Sequence, residues 1–154
     1  MATEIERKFL LADDSWKSYV IHVVEMRQNY MSRNPTVRVR LAGNQGFLTV
    51  KGKTQGCSRA EFEYSIPAED AEEMLNTLCH GYEVCKKRHI VSYAGKTWEI
   101  DVFEGVNAGL VLAEIELENE SETFEMPPWI GIEVTGKCEY YNAALAQHPW
   151  TMRS

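Results

Sequence analysis

The chain has 154 residues, 44% hydrophobic and 25% charged, which is enough for one domain with a buried core. Its formal net charge of -7 argues against general electrostatic binding to nucleic acid or to an anionic membrane. No run reaches the roughly 18 apolar residues of a spanning helix, and the amino terminus has no leader pattern. We therefore predict one cytoplasmic domain over residues 1–154, without nucleic-acid or membrane partners.

Short alternating runs predict nine strands along the chain. They cover residues 2–10, 22–32, 36–42, 46–52, 59–66, 84–93, 97–104, 111–118 and 129–135. Turn signals such as Asn34-Pro35 and Gly43-Asn44 separate neighbouring strands. Because a parallel crossover needs a dozen or more residues, these short connections favour antiparallel pairing.

Three helices interrupt the strands. The first begins at Asp13 or Asp14 and ends at Tyr19. The second lies within residues 65–78, where Pro67 and acidic residues mark its start. The third covers residues 139–147 and ends before Pro149. The class predicted from these elements is α+β, dominated by antiparallel strands.

Charged residues share one face of most predicted strands, because side chains alternate along a strand with a period of two. In the first strand Glu4, Glu6 and Lys8 lie opposite Ile5 and Phe9, with Arg7 on the second face. The same face in later strands carries Arg38 and Arg40, Lys51, Glu61 and Glu63, Lys86 and Arg88, Glu99 and Asp101, and Glu114 and Glu116. On any single strand a solvent-exposed face explains such a pattern.

The sign of these charges favours a different explanation. Two like charges at positions i and i+2 contribute nothing to folding, yet basic and acidic pairs recur on separate strands. A barrel with its charged face inward would turn its apolar face toward the helices. Buried ions need partners, so basic rows facing acidic rows would suit a polyanion bound with Mg²⁺ or Mn²⁺.

Several of these segments together resemble a known family. Glu4-x-Glu6-x-Lys8 is similar to the signature of the CYTH superfamily, the triphosphate tunnel metalloenzymes, in its small bacterial form. Further similar segments follow in the same order: residues 36–40, 48–52, 61–64, 86–88, 98–103, 109–116 and 132–136, then Tyr140-Tyr141-Asn142. The resemblance runs from residue 2 to about 149. It implies an eight-stranded closed antiparallel tunnel with a charged interior and about three helices packed outside.

The resemblance also implies roles for individual residues. The implied metal ligands are Glu4, Glu6, Asp101, Glu114 and Glu116, for Mg²⁺ or Mn²⁺ and up to two ions. The implied phosphate ligands are Lys8, Arg38, Arg40, Lys51, Lys86 and Arg88. Of these two sets, Lys8, Glu4, Glu6 and Glu116 are assigned to catalysis. Glu61, Glu63 and Tyr30 are supporting residues, with cross-barrel salt bridges and packing as the structural alternatives for them.

The activity implied is hydrolysis of inorganic tripolyphosphate to pyrophosphate and phosphate. Adenylate cyclisation of ATP, hydrolysis of nucleoside or thiamine triphosphate, and polyphosphate binding without turnover remain open alternatives. A homodimer is a family-level expectation. Lys137 and Glu139 depart from the family pattern, which predicts a difference at the tunnel mouth or where the last helix docks.

Overall fold

The computed structural model describes residues 3–153, which form nine strands and two α-helices. The strands are β1 (Thr3–Leu11), β2 (Val20–Arg33), β3 (Thr36–Ala42), β4 (Gln45–Lys51), β5 (Ser58–Ile66), β6 (His80–Tyr93), β7 (Lys96–Glu104), β8 (Val111–Glu116) and β9 (Ile130–Glu133). The helices are α1 (Ala68–Thr77) and α2 (Asn142–Gln147). All nine predicted strands are present; residue 2 of the first lies outside the described residues.

The prediction of about three helices needs correction. Residues Ser15–Tyr19, predicted as the first helix, form a 3-10 helix, so the described chain has two α-helices. The segment is five residues long and no side chain caps its start, which leaves too few hydrogen bonds for an α-helix. The third predicted helix starts later, at Asn142, after a 3-10 turn over Cys138–Tyr140.

Eight strands close into an antiparallel barrel, as predicted. The pairing order is β5-β4-β3-β2-β6-β7-β8-β1, and a further pairing of β1 with β5 completes the ring. β1 makes the closure because its first residues pair with β5 and its later residues pair with β8. β9 adds to β1 beyond the segment that pairs with β5. The pairing that closes the ring is short and joins residues 3–5 of β1 to residues 58–60 of β5.

Apolar side chains cover much of the outside of the barrel. Trp98 of β7 and Trp129 are fully buried and meet edge to face with ring centroids 5.6 Å apart. On the other side, α1 packs Ala71 and Leu75 against Val39 of β3. Burying these aromatic and aliphatic surfaces supplies the main favourable term in folding. Apolar packing on the outside of the barrel thus stabilises the fold and allows charged side chains inside it.

One end of the barrel interior is closed by an apolar cluster. Val84, Phe103 and Leu112 each lie two positions from a charged residue of the same alternation on their strand, and they pack with Leu145 of α2. α2 comes very close to β6 at Gly81, where a Cβ atom would lie 2.5 Å from the carbonyl oxygen of Ala146. The apolar end therefore depends on α2. None of the helices in residues 3–153 is long and apolar enough to cross a membrane.

A candidate active site inside the barrel

The barrel encloses a cavity of about 360 Å³ whose wall carries many charged side chains. The basic ones are Lys8, Arg38, Arg40, Lys51, Arg59 and Arg88. The acidic ones are Glu4, Glu6, Glu61, Glu63, Glu99, Glu114 and Glu116. Each comes from a strand position whose neighbours on both sides face outward. The alternation described from the sequence is therefore what brings these residues to one wall.

Strand register concentrates five of the seven carboxylates on three adjacent strands, β1, β8 and β7. Glu6 of β1 pairs directly with Glu116 of β8, and Lys8 pairs with Glu114. Glu114 is also the partner of Glu99 on β7. Directly opposite side chains on one face of a sheet lie about 5 Å apart at Cβ, where like charges repel. The arrangement needs protons or cations to be stable.

Glu6 and Glu114 form one of these acidic contacts. Burial raises the pKa of Glu6 well above its usual range, and the charge of Glu114 and a hydrogen bond to it add to the shift. Burial would also raise the pKa of Glu114, but the charge of Lys8 and the hydrogen bond from Glu6 outweigh it and hold that pKa low. The raised pKa of Glu6 and the lowered pKa of Glu114 favour a proton on Glu6 rather than on Glu114.

A second acidic contact lies on the other side of β1. Lys51 Nζ is 3.1 Å from both carboxylate oxygens of Glu4 and 3.3 Å from Glu61. Burial raises the pKa of Glu4; Lys51 opposes that shift, whereas Glu61 reinforces it. Glu116 is more exposed, and its pKa is also raised, first by burial and then by Glu61 and Glu99. One lysine is thus shared among several carboxylates.

These contacts fit a hard divalent cation. Among residues 3–153, no three acidic, histidine or cysteine side chains already stand in a metal-holding arrangement. However, the raised pKa of Glu6 beside the lowered pKa of Glu114 favours one proton on that pair, and Glu4 and Glu61 both contact Lys51. Carboxylate oxygens are the ligands that Mg²⁺ and Mn²⁺ prefer, and metal binding displaces protons from its ligands.

Asp101 lies apart from these carboxylates. It accepts two hydrogen bonds from Arg88, at 2.8 and 2.9 Å, and one of its oxygens is 2.7 Å from Lys86 Nζ. It is buried and does not line the cavity. This predicted metal ligand therefore lies between two cations, Arg88 and Lys86. Its bidentate contact with Nε and Nη2 of Arg88 fixes the guanidinium.

Lys86 lies behind the cavity wall rather than on it. Its side chain is completely inaccessible to solvent, and Nζ also donates to Asn142 Oδ1 of α2 at 3.1 Å. Burial lowers its pKa to about 7 against the opposing charge of Asp101. Lys86, predicted as a phosphate ligand, therefore contacts Asp101 and α2 and is not among the residues that line the cavity.

Arg40 and Arg38 are buried with little or no negative partner. Arg40 donates its Nε to Gln28 Oε1 at 2.8 Å and makes no other hydrogen bond and no ion pair within residues 3–153. Burial, then the charges of Arg38 and Arg88, lowers its pKa to about 9. Arg38 Nη2 reaches Glu63 at 3.5 Å, while its buried Nε has no partner in the described chain. Buried guanidinium groups left in this state are typical of an anion-binding site.

The segment before α2 touches the first lysine of the signature. Lys8 Nζ donates to the carbonyl oxygen of Tyr140 at 3.4 Å, lies 5.5 Å from the ring centroid of Tyr141, and is 3.7 Å from Glu114. Tyr30 lines the cavity and packs in the apolar end. The carboxyl-terminal segment therefore contributes to the wall as well as to the closed end.

Some residues of the cavity wall were not predicted as site residues. Arg59 and Glu99 line the cavity, and each has the same strand alternation as a predicted site residue, which could have identified them. Tyr141 and Asn142 carried no such signal, because they belong to no strand. Lys137 and Glu139, where the chain departs from the family pattern, are exposed and do not line the cavity.

The fold and the site define a closed antiparallel barrel that holds facing groups of acidic and buried basic side chains in one internal cavity. The sequence matches the CYTH domain model over residues 2–145. This protein belongs to the CYTH family.

Two inorganic triphosphatases are similar to this protein over nearly the whole chain. An inorganic triphosphatase of Acetivibrio thermocellus is 45% identical over 152 residues, which are 97% of each chain. One of Nitrosomonas europaea is 39% identical over 151 residues, covering 94% of this chain and 97% of that one. A crystal structure described as an inorganic triphosphatase superposes with a TM-score of 0.68 at 35% identity, covering 95% of both chains.

Proposed function

We propose that this protein is an inorganic triphosphatase that hydrolyses tripolyphosphate to pyrophosphate and phosphate inside the barrel. The observation that carries the proposal is the pair of buried guanidinium groups, Arg38 and Arg40, which face the cavity without a full complement of acceptors. A chain of phosphates supplies many negatively charged oxygens in a row. The names of the relatives at 45% and 39% identity support the same substrate.

Five basic residues on the cavity wall are proposed to bind the phosphates: Lys8, Arg38, Arg40, Lys51 and Arg88. Lys86 would act from behind by fixing Asp101, which in turn orients the guanidinium of Arg88. Phosphoryl transfer passes through a loose transition state with charge spread over oxygens, so it needs positioning and neutralisation more than covalent chemistry. The basic residues would stabilise the pyrophosphate as it leaves.

The carboxylates opposite are proposed to hold Mg²⁺ or Mn²⁺. The donor set is Glu4, Glu6, Glu114 and Glu116, with Glu61 and Glu63 supporting the basic side. Such an ion neutralises phosphate oxygens and lowers the pKa of a bound water. The raised pKa of Glu6 favours a proton on this carboxyl group, which would be released to solvent when the ion binds. The proposal also includes a single domain over residues 1–154, a cytoplasmic location and a homodimer.

One assay tests the activity. Purified protein with Mg²⁺ or Mn²⁺ is offered tripolyphosphate, ATP and thiamine triphosphate separately, and phosphate release and cyclic AMP are measured. We expect phosphate from tripolyphosphate at the highest kcat/KM. Cyclic AMP formed from ATP would contradict the proposal, as would faster hydrolysis of either organic triphosphate.

A pair of variants ties the activity to the cavity. Glu116→Gln removes one proposed ligand on the wall, whereas Glu118→Gln makes the same chemical change two residues further, at an exposed position outside the cavity. We expect Glu116→Gln to lose at least about 100-fold in kcat with a normal unfolding curve. Glu118→Gln should keep the activity of the wild type; equal activities of the two variants would refute the site.

A further inference from the structure

Gln28 of β2 is fully buried and lies between two polar groups at the cavity wall. Its Oε1 accepts from Arg40 Nε at 2.8 Å, and its Nε2 lies 3.1 Å from the hydroxyl oxygen of Tyr30. Gln28 itself does not line the cavity, although both of its partners do. The residue therefore can influence a bound ligand only through the groups that it holds.

Arg40 is bound differently from Arg88, another arginine of the cavity wall. Arg88 has a carboxylate partner in Asp101, with two short hydrogen bonds, whereas the acceptor for Arg40 is a neutral amide. Burial and the neighbouring charges of Arg38 and Arg88 make the position costly for a cation. A glutamate in place of Gln28 would have the same shape and would relieve that cost. The chain instead keeps the amide, which orients the guanidinium without neutralising it.

We propose that Gln28 is a positioning residue that anchors Arg40 through a neutral acceptor and so keeps the whole charge of the guanidinium for a phosphate oxygen of the substrate. The inference deepens the proposed function, on which it rests for the identity of the anion. With Nε fixed by Gln28, the two Nη groups remain for a bidentate contact with phosphate. A carboxylate at position 28 would compete with phosphate for the same guanidinium.

The deciding variant is Gln28→Glu, because it separates charge from shape. A purely structural role would survive it: a carboxylate accepts from Arg40 Nε and also from the hydroxyl of Tyr30. We expect KM for tripolyphosphate to rise about tenfold or more, kcat to change less than threefold, and the thermal midpoint to increase. A KM within twofold of the wild type in a folded Gln28→Glu protein would overturn the inference.

The chain offers a matched control at Gln147. Its Oε1 accepts from Arg33 Nη1 at 2.9 Å, so Gln147→Glu places a carboxylate against an arginine with the same change of net charge. Gln147 is exposed and does not line the cavity that Arg40 faces. The KM of Gln147→Glu for tripolyphosphate should stay within twofold of the wild type. A rise equal to that of Gln28→Glu would assign the effect to net charge and would refute the role of Gln28.

A second variant covers the case in which Gln28→Glu does not fold. Gln28→Met is neutral but cannot accept from Arg40, so it should lose orientation while leaving the charge free. We expect kcat to fall about fivefold or more while KM changes less than threefold. An unchanged kcat/KM in Gln28→Met would overturn the positioning role.

Measuring the binding of tripolyphosphate without metal tests this inference independently of the proposed activity. Tripolyphosphate is titrated by calorimetry into each variant in EDTA, without divalent metal. If the wild type binds tripolyphosphate but hydrolyses none, the proposed function fails, and a Kd about tenfold weaker for Gln28→Glu than for Gln147→Glu still supports the inference. Equal Kd values for those two variants, or no binding by the wild type, would refute it.

Discussion

Replacing Arg40 with methionine should stabilise the fold while it weakens the use of substrate. Burial, with the charges of Arg38 and Arg88, lowers the pKa of Arg40 from the ordinary arginine value to about 9. At about 1.4 kcal/mol for each tenfold change, the charged form is disfavoured by about 5 kcal/mol in the folded protein. Methionine fills the site incompletely and leaves Gln28 without its donor, so we expect a net gain of about 1–3 kcal/mol.

Arg88→Met provides the contrasting variant. Arg88 is buried to the same degree as Arg40 but holds Asp101 at 2.8 and 2.9 Å. Removing it leaves that carboxylate with Lys86 alone, which should cost about 2–4 kcal/mol. Two arginine-to-methionine changes on the same wall are therefore expected to shift stability in opposite directions.

Urea unfolding of the metal-free proteins measures this difference, and phosphate release from tripolyphosphate measures the functional effect. Loss of two charge-assisted contacts from Arg40 should lower kcat/KM by about 100-fold or more. A fall of more than about 1 kcal/mol in the stability of Arg40→Met would refute the argument that this charge is uncompensated in the folded protein.

Three further predictions concern Glu6, Asp101 and Gly81. Folded Glu6 keeps its proton above the ordinary pKa of 4.5, so the folded state binds more protons than the unfolded chain, and the free energy of unfolding should fall as pH rises above that value. Glu6→Gln should remove this part of the slope in urea titrations, and calorimetry in two buffers should show that it also removes proton release on Mg²⁺ binding. Asp101→Asn should cost about 3–5 kcal/mol by urea unfolding, because two buried cations lose their carboxylate; a cost below about 1 kcal/mol would contradict that pairing. Gly81→Ala should cost about 2–3 kcal/mol, since φ is +85° and the new Cβ would lie 2.5 Å from Ala146 O; unchanged thermal unfolding would show that α2 can move away freely.

Most of the fold followed from local pattern. Alternation in β1 assigned Glu4, Glu6 and Lys8 to one face, and the structure places all three on the cavity wall. Short connections indicated antiparallel neighbours, and each of the nine strands is present. Where the pattern was short it was less informative: residues Ser15–Tyr19 form a 3-10 helix because one turn of sequence does not specify the hydrogen bonding of an α-helix.

The sequence by itself determined which side chains share a face, because the two-residue period of a strand is a local property. Closure of the barrel decided that the charged face lies inside. The sequence also did not determine the partners of these side chains. Arg40 and Arg88 look equivalent in the sequence, yet one is held by an amide and the other by a carboxylate. Those pairings arise from the register and closure of eight strands, which join residues far apart in the chain, and only the tertiary structure decides them.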